Sequence, residues 1–231
     1  MKKKNKAIYM LFLMPFVYFA TACFVVWLVK TSGIYPSGSD TMYHVYRGDY
    51  VYNAIKLGNW YPLYDPAWYN GVEILRYWSP FPAYVMAFCQ YLAGGSQFGA
   101  YLFYIGGVCF LGACVWPFIG RGFNRPYLGA FIGLLWFFMP NNLCAIFIEG
   151  NLARSLSMIF LPVFIYSVYK YLYNHKLRYI PLMVFTFLLM ELCHLGYAGM
   201  VAIAVIIYGI VYIIQKGRKR TEERRVGKEC P

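Results

Sequence analysis

Residues 7–29 read AIYMLFLMPFVYFATACFVVWLV, a stretch of 23 residues without a charged side chain. A transmembrane α-helix needs about 20 consecutive apolar residues, so this stretch is long enough to cross a bilayer. A cleaved signal peptide is the competing interpretation, because residues 20–22 resemble a cleavage site. The apolar stretch continues past that site to Val29. We therefore interpret it as an uncleaved first membrane span.

The whole chain has the composition of a multi-span membrane protein. Of its 231 residues, 61% are hydrophobic and 13% are charged, whereas about 25% are charged in a typical soluble domain. The Lys and Arg residues lie at the ends of apolar stretches, so the net charge of +12 indicates membrane topology rather than nucleic-acid binding. The seven Cys residues form no C-x-x-C pair, and no pattern supports a metal site or a cofactor.

The later apolar stretches differ in length, and this difference affects the predicted topology. The stretch 80–94 is short, and 179–214 is long enough for two crossings joined near residues 194–196. Other full-length stretches are 98–119, 127–148 and 155–173. If 80–94 does not cross fully, every later basic cluster lies on the same side as the basic N-terminus, as the positive-inside rule requires. Those clusters are at 121–125, 176–178 and 216–220.

This topology predicts an all-α polytopic membrane protein with about six full transmembrane helices and one short embedded helix. We expect it in the plasma membrane with its N-terminus cytoplasmic and a helical outer loop after the first span. The expected parts are an N-terminal segment with the first span, an outer loop with an amphipathic helix, a membrane-embedded bundle and a basic tail: 1–30, 31–79, 80–215 and 216–231. From Thr221 the tail resembles a translated sequencing adaptor. We therefore expect the chain to be a fragment whose native sequence continues past about Lys219.

The polar segment after the first span carries the strongest functional signal. Residues 39–47 read SDTMYHVYR, and Ser39 is expected to cap a helix that has Asp40 in its first turn. On that helix Asp40, His44 and Arg47 share one face, because they are spaced i, i+4 and i+7. A carboxylate, an imidazole and a guanidinium on one face suit proton abstraction beside an anionic substrate. A capped, salt-bridged surface helix is the alternative.

A second group of ionisable residues interrupts the apolar stretches, where charges are expensive and favour a functional interpretation. Residues 149–154 read EGNLAR. Asn151 is expected to cap the next helix, whose free N–H groups would bind a phosphate oxygen together with Arg154. A Glu149–Arg154 ion pair that neutralises itself is the equally weighted alternative.

Glu191 and His194 form the last polar pair in the apolar part of the chain. Glu191 precedes His194 by three residues, so both should lie on one helix face. We expect a hydrogen bond between them, with a proton relay or metal ligation as the alternatives. The predicted topology places this pair on the same side of the membrane as Asp40. In the outer loop, Trp60 is expected to pack against the membrane surface.

Taken as an ordered set, these features resemble those of the GT-C superfamily of polytopic glycosyltransferases. The chain looks most like the bacterial membrane proteins labelled 6-pyruvoyl-tetrahydropterin synthase-related. The resemblance covers residues 1 to about 215. The matching features are Asp40-x3-His44-x2-Arg47, Gly58-Asn59-Trp60-Tyr61-Pro62, Asn70-Gly71, Tyr77-x2-Pro80-x3-Tyr84, Glu149-Gly150-Asn151-Leu152-Ala153-Arg154 and a late His194.

The resemblance implies sugar transfer from a polyprenyl-phosphate donor at the outer face of the membrane. By position, Asp40 is the acid that activates the acceptor hydroxyl, and we place His44 beside it as the second catalytic residue. Arg154 is the first candidate to bind the donor phosphate and Arg47 the second. The remaining expected site residues comprise two substrate-binding residues, Asn151 and Glu149, and three supporting residues, His194, Glu191 and Trp60.

The expected partners are membrane lipid, a polyprenyl-phosphate-linked sugar and an acceptor that is a glycan, a lipid or a protein, with no nucleic acid. Two other functions are kept as alternatives. One is a carrier or flippase for a lipid-linked substrate, and the other is a non-catalytic scaffold for assembly of the cell envelope.

Overall fold

The computed structural model describes residues 2–36 and 38–229, with side chains described for residues 12–36 and 38–217. Within this part the chain is helical, with one isolated antiparallel bridge between Asp65 and Val72. The helices are α1 (Lys2–Ser32), α2 (Thr41–Lys56), α3 (Phe81–Leu92), α4 (Gln97–Gly122), α5 (Pro126–Leu135), α6 (Pro140–Leu143), α7 (Leu152–Leu172), α8 (Ile180–Cys193) and α9 (Leu195–Glu229). The predicted all-α class is confirmed.

Among the described residues, five helical segments are long and apolar enough to cross a membrane. They are Phe12–Ser32, Gln97–Gly122, Pro126–Ile148, Leu152–Leu172 and Leu195–Gly217. The segment predicted as a further span, α8, has 14 residues and is therefore about 21 Å long, short of the bilayer's core thickness of about 30 Å. The short helix predicted at 80–94 is α3, which packs between α2 and α4.

The long apolar stretch 179–214 is divided into two helices at His194. The backbone there is extended, with φ −156° and ψ 94°, so α8 ends at Cys193 and α9 begins at Leu195. Near the start of α7, Ser157 donates a hydrogen bond to the carbonyl of Met190. At the other end of α7, Tyr212 of α9 reaches the carbonyl of Leu172. The chain therefore reverses at His194, which confirms the predicted hairpin.

Small residues allow α1, α4 and α5 to pack closely, as is common between membrane helices. A Cβ on Gly129 of α5 would lie 2.8 Å from the Cα of Gly120 in α4. The indole of Trp136 occupies the space beside Gly112. The hydroxyl of Tyr18 in α1 donates to the carbonyl of Ala130 at 2.8 Å. These contacts form the main core, on which α7 also packs.

The second core cluster places α2 against α3 and the loop between them. Val51 of α2 is fully buried against Ile74 of the loop and Ala87 of α3. The end of α2 follows its sequence signal, because Gly58 has a φ of +82° just beyond the last helical residue. This packing fixes α2 at one end of the bundle.

Two predictions concern residues whose side chains are not described. The basic N-terminus, Lys2 to Lys6, was used for the topology, but its side chains are not described. The non-native tail predicted from Thr221 falls where side chains are not described, and residues 230–231 lie outside the described chain altogether.

Candidate functional site

A pocket of about 690 Å³ lies at the end of the bundle where α2, α7 and α9 begin. Its polar wall contains Asp40, His44 and Arg47 from the start of α2, Asn151 from the start of α7, and His194 from the α8–α9 turn. The structure thus brings together five of the predicted site residues, which come from three distant parts of the chain.

The start of α2 differs by one residue from the sequence prediction. Asp40, and not Ser39, occupies the N-cap position, and its side chain makes no capping hydrogen bond. The Ser39 hydroxyl instead lies 3.0 Å from Oδ1 of Asp40 and 3.3 Å from the carbonyl of Glu149. Because the Asp40 carboxylate is not used by its own helix, it is available to the pocket that it lines.

The loop before α7 holds the first turn of α2 in place. The backbone N–H of Asp40 donates to the carbonyl of Glu149 at 3.1 Å. Gly150 follows with a φ of +70°, and a Cβ at this position would lie 2.1 Å from Oγ1 of Thr41 and 2.6 Å from its backbone nitrogen. Glycine is therefore required at position 150 both by the backbone conformation and by the close approach of α2.

We expect Gly150→Ala to destabilise the protein by displacing the start of α2. The matched control is Gly58→Ala, because Gly58 also has a positive φ but has no atom within 4 Å of the added Cβ. Both variants carry the backbone strain, but only Gly150→Ala adds overpacking. The overpacking should lower the free energy of unfolding by about 1–3 kcal/mol more than the strain alone. Unfolding in detergent measures this difference, and equal stability of the two variants would show that the contact is not tight.

His44 is a buried and neutral imidazole in the wall of the pocket. Its side chain is 9% exposed. Burial lowers its pKa to about 3, and the positive charge of Arg47 and the nearby His194 act in the same direction. Burial also lowers the pKa of His194. At neutral pH the His44 imidazole therefore offers one N–H donor and one acceptor, without a positive charge that would compete with Arg47.

Acid should destabilise the protein through His44. The unfolded chain binds this proton near pH 6.5, whereas the folded chain binds it only near pH 3. The stability that the neutral His44 imidazole contributes is therefore fully present above about pH 6.5. As the pH falls toward 3, the free energy of unfolding decreases by up to about 1.4 kcal/mol per pH unit. Thermal unfolding from pH 7 to pH 4 should show a smaller loss for His44→Asn than for the wild type.

The control for this acid effect is His175→Asn, because His175 is exposed and its φ of +49° is one that asparagine tolerates. This variant should keep the pH dependence of the wild type. If His44→Asn keeps it as well, His44 is not the group that is protonated on unfolding.

Arg47 is a buried cation that faces the pocket without an anionic partner. Its side chain is 1% exposed, and in the part of the chain that the structure describes no carboxylate forms an ion pair with it. One terminal nitrogen donates long hydrogen bonds to the carbonyls of Trp78 and Ser79, at 3.3 and 3.4 Å. Its Nε and the buried hydroxyl of Tyr43 have no hydrogen-bond partner. Since buried polar groups are normally paired, these atoms have hydrogen-bonding capacity left for a ligand, as does Nε of Arg154.

Arg154 differs from Arg47 because it is already neutralised. Its guanidinium forms a 2.7 Å ion pair with Glu149, which was one of the two interpretations of this sequence. This hydrogen bond holds the pKa of Glu149 below its usual range. The predicted cap is also present, since Asn151 accepts a 2.9 Å hydrogen bond from the backbone N–H of Arg154. Neither Glu149 nor Arg154 lines the pocket directly.

The predicted hydrogen bond between Glu191 and His194 is wrong. Nδ1 of His194 accepts from the backbone N–H of Tyr197 at 3.0 Å, and Nε2 lies 3.4 Å from the amide nitrogen of Asn151. The prediction assumed one continuous helix, but the extended backbone at His194 turns its ring away from the α8 face that carries Glu191. Glu191 contributes its carbonyl, which accepts a 2.8 Å hydrogen bond from Ser79.

Trp60 lies outside the pocket, and 70% of its surface is exposed. The aromatic wall that the structure does show comes from other residues of the same loop: Trp68, Tyr69, Tyr77 and Trp78. From the sequence, Trp60 of this loop was expected at the membrane surface. The turn residues Asn70-Gly71, which fold the loop back over α2, were the available signal for this aromatic wall.

No group of three or more His, Cys, Asp or Glu side chains that could hold a metal ion occurs among the described residues. The polar side chains that line the pocket are one carboxylate, two imidazoles, an amide, a guanidinium and several serine and tyrosine hydroxyls. This set is suited to an organic ligand that carries both hydroxyl and anionic groups.

The fold and the pocket together define a multi-span helical membrane protein with a polar site at one end of its bundle. Residues 75–225 match a family model described as 6-pyruvoyl-tetrahydropterin synthase related domain, membrane protein. The chain belongs to this family, as its sequence predicted, whereas membership of the GT-C superfamily stays a prediction. No curated protein and no solved structure gives a significant match. The matched region includes Asn151 and His194, while Asp40, His44 and Arg47 precede it.

Proposed function

We propose that this protein transfers a sugar from a polyprenyl-phosphate donor to an acceptor hydroxyl, in a pocket at the outer face of the membrane. One observation carries the proposal. The carboxylate of Asp40 and the buried, unpaired guanidinium of Arg47 line the same pocket at one end of a membrane-embedded bundle. A base and an anion-binding group in one cavity are what this reaction requires.

Arg47 is the group that we assign to the donor phosphate. Burial of a charge without a partner is costly, and the two long hydrogen bonds to carbonyls compensate for it only in part. A phosphate would supply the missing charge and accept from Nε. Arg154 already has its anion in Glu149. The structure therefore supports Arg47 as the first candidate and Arg154 as the second, the reverse of the order expected from the sequence.

The proposed reaction is a single displacement at the anomeric carbon of the donor sugar. The Asp40 carboxylate takes the proton from the acceptor hydroxyl, whose oxygen forms the new bond to that carbon. The bond between that carbon and the phosphate oxygen breaks, and its electron pair leaves with the polyprenyl phosphate. Arg47 stabilises the charge that develops on this leaving group. Attack from the face opposite to the phosphate inverts the anomeric configuration.

The uncharged polar groups of the pocket are assigned to positioning. The neutral imidazole of His44 and the amide of Asn151 can donate and accept hydrogen bonds to sugar hydroxyls without competing for the phosphate. Asn151 is held in turn by the backbone N–H of Arg154. His194 lies against Asn151 at 3.4 Å and completes this side of the pocket.

The position of the pocket supports transfer over carriage. A carrier needs a substrate site near the middle of the bilayer with access from both sides. Here the pocket lies at the end of the bundle where α7 and α9 begin. A scaffold does not require a buried arginine without an ion-pair partner, because a well-packed apolar residue at such a position is often as stabilising or more so.

The proposal is tested with the protein reconstituted in lipid vesicles that contain a polyprenyl-phosphate-linked sugar and a mixture of glycan and lipid acceptors. Glycosylated acceptor together with free polyprenyl phosphate supports it. Movement of the donor between leaflets without product overturns it in favour of a carrier, and absence of donor binding overturns it in favour of a scaffold.

A further inference from the structure

The pocket also has an aromatic wall whose side chains are largely exposed. Tyr69 is 86% exposed, Tyr77 is 68% exposed and Trp78 is 49% exposed, and all three line the cavity. They come from the loop between α2 and α3. Exposed aromatic surface that is concentrated at one cavity marks a binding surface.

The loop presents these rings in a fixed arrangement. Asp65 and Val72 exchange two backbone hydrogen bonds of 2.8 and 2.9 Å, which close the loop at its base. The buried Asp65 carboxylate accepts a 2.5 Å hydrogen bond from the hydroxyl of Tyr46 and a 2.9 Å hydrogen bond from the N–H of Ala67. The indole of Trp68 packs edge-on against Tyr46, with ring centroids 4.5 Å apart. The loop is therefore tied to α2, and the Trp68 ring is held against it before any ligand binds.

Tyr69 is held at the tip of this loop by an unusual backbone. Its φ is +48° and that of Asn70 is +64°. A bulky residue such as tyrosine is rarely found in this left-handed region, and strained residues of this kind are concentrated at ligand-binding sites. Tyr69 lines the pocket and belongs to none of the apolar core clusters.

A second cavity of about 320 Å³ shares two of these aromatic residues with the main pocket. Both Trp68 and Tyr69 line it, together with Tyr46 and Ala67. Since Tyr69 borders both cavities, a ligand longer than one ring could extend across it from the main pocket into the second.

We propose that Trp68, Tyr69 and Tyr77 form a saccharide subsite that holds the acceptor, so that the acceptor is a glycan of at least two sugar rings. The apolar faces of pyranose rings stack on aromatic side chains, while their hydroxyls bind to polar groups such as Asp40 and Asn151 of the same pocket. The two cavities, which share Trp68 and Tyr69, give the subsite its length. The assignment to an acceptor rests on the proposed sugar transfer, whereas the binding of saccharides does not.

Saccharide binding is tested by tryptophan fluorescence of the protein in a detergent without a sugar headgroup, with maltose, cellobiose, lactose and N,N′-diacetylchitobiose as probes. At least one of these disaccharides should change the fluorescence saturably. Tyr69→Asn removes the ring and keeps a residue that tolerates a positive φ, and it should raise the Kd about fivefold or more. Tyr61→Asn is the matched control, because Tyr61 is exposed in the same loop but lines neither cavity, and its Kd should stay within about twofold.

The subsite is overturned if no disaccharide binds, or if Tyr69→Asn and Tyr61→Asn have the same affinity. The latter result would assign Tyr69 to the membrane interface instead. Binding of polyprenyl phosphate is measured on the same samples, so that the two proposals fail separately. If the wild type binds polyprenyl phosphate but no disaccharide, only the subsite falls. If it binds disaccharides but no polyprenyl phosphate, the subsite stands and the proposed donor is wrong.

Discussion

Replacing Asp40 by Asn should lower the rate of sugar transfer by about 10²–10⁴-fold, because this is what a general base contributes to a reaction. The amide keeps the size of the carboxylate and cannot accept the proton of the acceptor hydroxyl. The carboxylate makes no capping bond in α2, so folding should not depend on it. The measurement is the rate of product formation in vesicles, with thermal unfolding of the same preparation.

The matched control is Glu73→Gln, the same chemical change in the same outer segment, residues 31–79. Glu73 pairs with Arg76 on the surface, with 39% and 66% of the two side chains exposed, and such pairs contribute little to stability. This variant should keep wild-type activity. If Asp40→Asn keeps it as well, Asp40 is not the base.

Replacing Arg47 by Met should have opposite effects on binding and on stability. Loss of the charged hydrogen bonds should weaken the binding of polyprenyl phosphate by about 10–100-fold. Without ligand, however, the variant should be as stable as the wild type or more stable by about 1–4 kcal/mol, because a well-packed apolar residue replaces an unpaired buried charge. Binding of polyprenyl phosphate and unfolding of the ligand-free protein in detergent measure the two effects.

Two further variants show whether this result is specific to Arg47. Arg76→Met removes an exposed arginine and should change neither quantity. Arg154→Met removes the partner of Glu149 and should weaken phosphate binding less than Arg47→Met does. If Arg154→Met weakens phosphate binding more than Arg47→Met does, Arg154 is the main phosphate-binding residue, as the sequence suggested. A destabilised Arg47→Met protein would show that Arg47 has a structural role.

The class of fold could be predicted from the sequence because apolar length and charge position are local properties. The first span, the end of α2 near Gly58 and the break at His194 all follow from such signals. The length of α8 could not be predicted, because the chain around residues 177–179 forms a short 3₁₀ turn before the helix begins. An apolar stretch does not show where its helical hydrogen bonds start.

The sequence selected five of the residues that line the pocket, but four other predicted site residues do not line it: Glu149, Arg154, Glu191 and Trp60. Helical spacing and the cost of charges at membrane depth were sufficient to select Asp40, Arg47 and His194. Which arginine is free depends on contacts between distant segments, and no local pattern distinguishes Arg47 from Arg154. The same holds for Tyr69, whose position depends on the bridge between Asp65 and Val72.

The hydrogen bond from Ser79 to the carbonyl of Glu191 joins residues 112 positions apart, and the one from Ser39 to Glu149 joins residues 110 apart. During synthesis, the segment with Asp40 therefore leaves the ribosome long before its partners exist. Its contacts with Glu149 and Glu191 can form only after the segments that carry these residues have been synthesised. A chain halted before α8 would contain the proposed catalytic residues and would still lack the part of the pocket wall that Cys193, His194, Leu195 and Gly196 form.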